Sequence, residues 1–334
     1  MTDPARVATE RPQHKLPPTL LARRQACGCM ATAVLCCLPG LRAQAAALAA
    51  DSVELVEVAP GIHVFRGAHE EATAENLGAI ANIGVVIGKE SVAVVDTGGS
   101  LAWGERLRAA IHEVTPLPVR HVINTHVHPD HMFGNGAFAA DAPEIWGHAK
   151  LPAALATRGQ FYLGRLLELL GDAAKGTQIV PPTRLVETYQ TLDLGGRILQ
   201  LQAYPTAHTD NDLAVVDAAS GTLLAGDLLF MERLPAIDGS LNGWISVLDG
   251  LRQFRAERVV PGHGPAAASL SAAIDPMERY LRLLRTEIRA LIADGVPMEK
   301  AVDTVGQAER GAWKMFDDYN ARNVVTAYAE LEWE

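Results

Sequence analysis

Cysteine, positive charge and long apolar runs are all scarce in this 334-residue chain. Its four cysteines, Cys27, Cys29, Cys36 and Cys37, crowd into one short window. Everything after residue 37 is therefore without disulfides and without thiolate ligands. Lys and Arg number 29 against 39 Asp and Glu, a net charge of −10, and the isoelectric point is near 5.6. That balance excludes broad nucleic-acid or anionic-membrane binding, both of which need a positive face. The one conspicuous apolar stretch, residues 26–41, is shorter than the roughly 20 residues a membrane helix needs, and Pro39 interrupts it. No short-period repeat is present. With 49% hydrophobic and 20% charged residues, the composition is that of a globular protein with a sizeable core, and neither disordered nor collagen-like.

The amino terminus reads as a targeting segment. Arg23 and Arg24 precede the apolar stretch, and small-residue A-x-A patterns follow at 43–45 and 45–47. A basic region, a short apolar run and a small-residue cleavage site together describe an export signal. The expected organisation is a signal over 1–45, cleaved near Ala45, then a single domain over 46–334 in a periplasmic or secreted protein. A CxC metal site and a retained membrane anchor are the competing readings. The arginine pair leaves Sec and twin-arginine export both open. The mature chain would contain no cysteine and no membrane-inserted segment.

Further along, alternating or β-branched runs predict strands at 53–58, 62–66, 79–87, 91–95, 119–125, 197–204, 212–216, 222–224 and 258–260. Helical spacing of apolar residues predicts helices from Leu101, over 151–170, over 244–254, from Asp275-Pro276 to Gly295, and over 324–331. Strands and helices alternate without a dividing linker, a pattern of layered sheets covered by helices.

The decisive segment is Asn124-Thr125-His126-Val127-His128-Pro129-Asp130-His131, directly after an apolar strand. In extended chain His126 and His128 point to the same side, and Pro129 turns Asp130 and His131 in another direction. One strand end can thus serve two metal ions. Imidazole and carboxylate suit zinc, and also iron or manganese. A metal site needs further ligands from elsewhere. His208, Asp227 in Gly226-Asp227, and His263 in Gly262-His263-Gly264 each follow a predicted strand, at the same structural address. His63, His69 and His148 are lesser pocket candidates. Arg233 reads either as a carboxylate-binding residue or as a solvated surface charge. Phe230, Met231 and Trp244 suit a core.

This set resembles the metallo-β-lactamase superfamily, through H-x-H-x-D-H, a later His, Gly-Asp and Gly-His-Gly, and Asp96-Thr97-Gly98 is similar to that superfamily's early aspartate motif. The resemblance implies an α/β fold, the αβ/βα four-layer sandwich, with the site along one edge of its two sheets. It implies that His126, His128 and His208 hold one metal, that Asp130, His131 and His263 hold a second, that Asp227 bridges them, and that Asp96 positions ligands by hydrogen bonds. Residues 78–84, 126–135 and 238–244 are further similar to the exported quinoprotein relay system zinc metallohydrolases. That closer likeness implies a functional link to a quinoprotein dehydrogenase.

Two divalent ions sharing a water lower its pKa toward 7 and generate a nucleophile without Ser or Cys. The expected activity is therefore zinc-dependent hydrolysis of a small ester, thioester, lactone or amide, with Asp130 and Asp227 in the reaction centre. Three alternatives stand beside it. A β-lactamase proper is one, although the best-known class B type has a Cys where this chain has Asp227. A mononuclear iron dioxygenase acting on persulfides is another. The last is a non-catalytic metal-binding accessory protein. A nucleic-acid phosphodiesterase fits neither export nor the acidic charge.

Overall fold

The computed structural model describes residues 53–334. The expected export signal, its cleavage point and the four cysteines lie outside the described residues.

Two mixed sheets face each other. The first has seven strands in sequential order: β1 (Val56–Ala59), β2 (Ile62–Phe65), β3 (Ile83–Ile87), β4 (Val92–Val95), β5 (Val119–Ile123), β6 (Glu144–His148) and β7 (Arg184–Val186). Strands β1 to β4 are antiparallel, and β4 to β7 run parallel through crossovers. The second holds β8 (Tyr189–Asp193), β9 (Ile198–Ala203), β10 (Leu213–Asp217), β11 (Thr222–Phe230) and β12 (Arg258–His263), in the order β12-β11-β10-β9-β8. Only β11 and β12 pair in parallel.

The two-residue period of the strands builds the layers. In β4, Ala93 and Val95 face a core shared with Leu199, Leu201, Leu213, Val215, Leu224 and Val260 of the second sheet. Their neighbours Val92 and Val94 face the other way, onto Trp103, Leu107 and Ile111 of helix α1 (Leu101–Val114). In the second sheet Leu223, Ala225 and Val259 point outward onto helices α4 (Leu241–Leu251), α5 (Leu270–Ala293) and α7 (Phe316–Leu331). Trp244, Tyr280 and Leu284 fill that outer core. Helices thus cover both outer faces of a two-sheet sandwich, as the resemblance implied. Between these elements lie the short α2 (Pro129–Met132), the long α3 (Leu151–Leu170) and the short α6 (Met298–Thr304). Among the described residues no helix is long and apolar enough to cross a membrane.

Several boundaries differ from the sequence-based expectation, among them the start of α7 at Phe316 and not at 324. Helix α5 starts at Leu270, not at Asp275-Pro276. Ser269 caps it by accepting from the Ala272 N–H at 3.3 Å, and Ala273 and Ile274 extend the buried face upstream of the proline. Strand β11 does not stop at Leu224 but runs to Phe230, with irregular register on either side of Gly226. Strand β3 is shorter than 79–87, because residues 78–82 leave the sheet at a left-handed Gly78. Strands β6, β7 and β8 went unanticipated. β7 is three residues long and β8 is mostly exposed, so neither carries a strong apolar alternation.

Candidate metal centre

The seven expected ligands meet at one edge of the sandwich. His126 and His128 follow β5, and Asp130 and His131 lie in the single turn of α2, begun by Pro129. His208 lies in the turn after β9 and His263 closes β12. Asp227 was expected just past a strand end. It sits inside β11 instead, beside the irregularity at Gly226, whose φ of 53° lets the strand kink there. Gly262 opposite is obligatory, since a Cβ there would lie 1.9 Å from Asp227 Oδ1.

Two groups of donor atoms result. One comprises His126, His128, His208 and Asp227, the other Asp130, His131 and His263, with atoms of each group within 4.8 Å of one another. Asp227 reaches both groups: its Oδ2 is 3.3 Å from His208 Nε2 and 3.6 Å from His263 Nε2, and its Oδ1 is 3.2 Å from His131 Nε2. Asp130 Oδ2 is 3.4 Å from His263 Nε2 and 3.6 Å from His131 Nε2.

The outward nitrogen of every imidazole is occupied. His131 Nδ1 donates to Asp96 Oδ2 at 2.7 Å, His263 Nδ1 to the Ile80 carbonyl at 2.8 Å, and His208 Nδ1 to the Ala236 carbonyl at 2.7 Å. His128 Nε2 donates to Asp238 Oδ2 at 3.0 Å. Thr125 Oγ1 donates to Asp96 Oδ2 at 2.8 Å, so it accepts from His126 Nδ1 at 3.0 Å. With those protons assigned, a neutral ring has only a lone pair for the centre. His128 Nδ1 then faces both His126 Nε2 and His208 Nε2, each at 3.0 Å, lone pair against lone pair. His131 Nε2 and Asp227 Oδ1 are buried without any hydrogen-bond partner. Such an arrangement is repulsive unless a cation lies between the donors. Donors about 2.0–2.1 Å from one tetrahedral ion would be separated by about 3.3 Å, close to the spacing found. The donor set fits divalent metal.

Electrostatics agree. Burial, reinforced by the charge of His131, pushes the His126 imidazole well down. Burial likewise lowers His208 to about 4, so both rings are neutral. Burial opposes ionisation of Asp227, but His131, His263 and His126 outweigh it and hold the carboxyl well below the usual range. Burial also works against a charged His131, and there the carboxylates of Asp227, Asp130 and Asp96 prevail and raise it well above the ordinary value. His263 is raised in the same way, Asp227 overcoming burial. Protons and a cation compete for these two rings.

Asp96 anchors the centre. It is buried in a left-handed conformation with φ of 65°. Its carboxylate accepts from Thr125 N at 2.8 Å, Thr125 Oγ1 at 2.8 Å and His131 Nδ1 at 2.7 Å. It therefore orients a ring of each donor group, His131 directly and His126 through Thr125. Two partners escaped the sequence reading. Asp238, behind His128, is itself paired to Arg158 of α3, and with Tyr162 3.5 Å away. Asp238 opens the 238–244 stretch noted in the sequence, but no fixed spacing ties it to His128 or to Arg158.

Residues of both donor groups, His128, His208 and Asp227 with Asp130 and His263, line a cavity of about 290 Å³. Leu166 and Leu169 of α3 give it an apolar surface beside Tyr162 and Arg165, and Arg233, Tyr319 and Arg322 line it with polar groups. Arg233 is only 4% exposed, which excludes the reading of a solvated surface charge. Phe230 and Trp244 are core residues, as expected, that also touch the His208 ring, at centroid distances of 5.6 and 5.2 Å. His63, His69 and His148 do not line the cavity.

Comparison with known proteins accords with this geometry. Residues 78–263 match the metallo-beta-lactamase superfamily, and the chain belongs to it. It is 22% identical over 236 residues to the linear primary-alkylsulfatase of Pseudomonas sp. (strain ATCC 19151), an alignment covering 60% of this chain and 43% of that enzyme. A metallo-beta-lactamase from Pontibacter korlensis superposes with a TM-score of 0.56 at 21% identity, over 69% of this chain and 98% of that one. A double mutant of the sec-alkyl sulfatase PisA1 gives 0.59 at 17% identity, over 75% and 45%. The chain thus spans less than half the length of these sulfatases, and the two structural likenesses speak to the fold alone.

Proposed function

We propose that this protein is a metal-dependent hydrolase whose centre takes two divalent cations, zinc being the first to test, and cleaves a small ester, thioester, lactone or amide. The observation that carries the reading is the set of five imidazoles, each anchored through one nitrogen, whose other nitrogens gather with the Asp227 carboxylate into two adjacent donor groups under an open cavity. His126, His128 and His208 would hold one ion, Asp130, His131 and His263 the other, and Asp227 would touch both. Bound there, divalent ions supply Lewis-acid polarisation and water activation at neutral pH. The chain's own residues do the rest. Asp130 stays ionised, because His131 and His263 outweigh its burial. It is also more open to the cavity than Asp227. It would orient the attacking water by accepting a hydrogen bond from it. The wall of α3 excludes bulk solvent from one side.

A second reading concerns the bond cleaved. The matched Pseudomonas enzyme is an alkylsulfatase, and the apolar wall of Leu166 and Leu169 suits an alkyl chain. A sulfate ester therefore belongs among the substrates to be tried. The likeness of residues 78–84, 126–135 and 238–244 to quinoprotein relay metallohydrolases supports action beside a quinoprotein dehydrogenase after export. The test is turnover by zinc-loaded and chelator-stripped protein on a panel of ester, thioester, lactone, amide, β-lactam and alkyl sulfate substrates. Activity should appear only with metal and return on its restoration. Equal turnover by the stripped protein would end the proposal, and a β-lactam as best substrate would replace the substrate class.

A further inference from the structure

The part of the cavity wall that includes Tyr319 contains a buried guanidinium with a poor partner. Arg233 donates from NH2 to Tyr319 Oη at 2.7 Å and from NH1 to the Glu70 carbonyl at 3.3 Å. Its nearest carboxylate oxygen, Glu71 Oε1, is 4.0 Å away. That oxygen is instead held at 2.6 Å by the Tyr319 hydroxyl, whose ring Arg233 overlies at 5.1 Å. Burying a guanidinium is costly unless a carboxylate pairs with it, and the favoured pairing is a two-pronged fork. Arg233 has the fork and the burial but not the pair. Its backbone is fixed: Lys314 N donates to the Glu232 carbonyl and Leu234 N to the Lys314 carbonyl.

Glu71 belongs to the segment between β2 and β3, which is internally built. Asn76 Oδ1 accepts from Thr73 N and Gly78 N, and Asn76 Nδ2 donates to Glu70 Oε1 and to the Glu71 carbonyl. Glu71 is thus presented to Tyr319 by a shaped segment, while its own side chain is 56% exposed. Glu71, Arg233 and Tyr319 all line the cavity that opens onto the donor groups.

We propose that Arg233 and Tyr319 form a subsite for a carboxylate that the substrate carries away from its scissile bond, and that Glu71 occupies this subsite in the free protein. The inference deepens the hydrolase reading and rests on it. The substrate's carboxylate takes the arginine fork, the Glu71 carboxylate turns out to solvent, and the 67–77 segment is released from α7.

The test is calorimetric titration of zinc-loaded protein with the dicarboxylates succinate to suberate, against the monocarboxylates butyrate to octanoate of equal carbon number. At one chain length the dicarboxylate should bind about tenfold tighter or more, the worth of a charge-assisted pair. In Glu71→Gln that ratio should widen, because the internal competitor is neutralised. In Arg233→Met it should vanish while monocarboxylate binding is kept. A merely structural role for Glu71 would weaken both ligand series alike and leave the ratio unmoved. No preference at any length, or a ratio unchanged or narrowed in Glu71→Gln, overturns the subsite. Should Arg233→Met fail to fold, Glu71→Gln decides alone. Zinc content of the same samples separates the two levels: protein that takes up no zinc fails the hydrolase reading, and zinc-loaded protein without the preference fails only the subsite.

Discussion

Replacing Asp96 by asparagine is the sharpest perturbation of the centre that removes no ligand. The side chain keeps its size, and asparagine tolerates the left-handed backbone at φ 65°. Charge and acceptor capacity are what change. The carboxylate accepts three bonds of 2.7–2.8 Å from Thr125 N, Thr125 Oγ1 and His131 Nδ1. Hydrogen bonds to a charged group are worth about 1.5–3 kcal/mol each. An amide has one oxygen and presents its NH2 to groups that are themselves donors, so at least one bond is lost and one donor faces another. His131 loses the partner that fixes its Nδ1 proton, and Thr125 loses the acceptor that orients it toward His126. Loss of such an outer partner typically weakens metal binding about 10–100-fold. Zinc titration of the stripped protein against a chromophoric chelator should show at least one step weakened by that factor, with the remaining fold intact by circular dichroism. Wild-type affinity at both steps would refute the reasoning.

Three further outcomes are expected. Asp227→Ala should take up one zinc in place of two and lose turnover, because among the described residues Asp227 is the carboxylate that reaches both donor groups; elemental analysis with two zinc retained would remove its bridging role. Zinc affinity should fall as pH falls, steepest where protons bind His131 and His263, since their carboxylate neighbours raise both above the ordinary imidazole value. Above pH 6.5 the metal-free protein should behave oppositely: the raised histidines contribute stability that is lost as pH rises through their folded values, whereas below 6.5 the lowered His126 and His208 cost it stability as pH falls toward their folded values. Melting curves of stripped and loaded protein across that range check both signs. Gly262→Ala should abolish metal binding and cost about 1–3 kcal/mol of stability, as overpacking does, because the new methyl would lie 1.9 Å from Asp227 Oδ1 and 2.7 Å from the Gly226 carbonyl carbon; a normal melting temperature with full zinc content would show that the strands simply part.

How much of this was legible beforehand divides by mechanism. The candidate ligands His126, His128, Asp130 and His131 stand in one short run, because a strand end and one proline-started turn suffice to aim them. His208, Asp227 and His263 were found because each follows, kinks or closes a strand whose apolar run is visible. The groups behind them were harder. Asp96 was signalled by its position at the end of β4. The pairs from His128 to Asp238 and from Asp238 to Arg158 join a loop, a second loop and a helix face, and only the packed sandwich brings them together. Tyr319, on α7, falls just outside the helix expected at 324–331, because Asp317 and Asp318 dilute the apolar spacing of its first turn. The start of α5 was misplaced for a similar reason: Pro276 looks like a first-turn proline, yet Ser269 caps an earlier turn whose buried face is continuous with Met277 and Leu281.

The most direct measurement is anomalous X-ray scattering at the zinc edge from crystals of the purified, metal-loaded protein. Two peaks should appear, one among His126, His128 and His208 and one among Asp130, His131 and His263, with the Asp227 carboxylate between them. A single peak, or none among these seven side chains, would contradict the account.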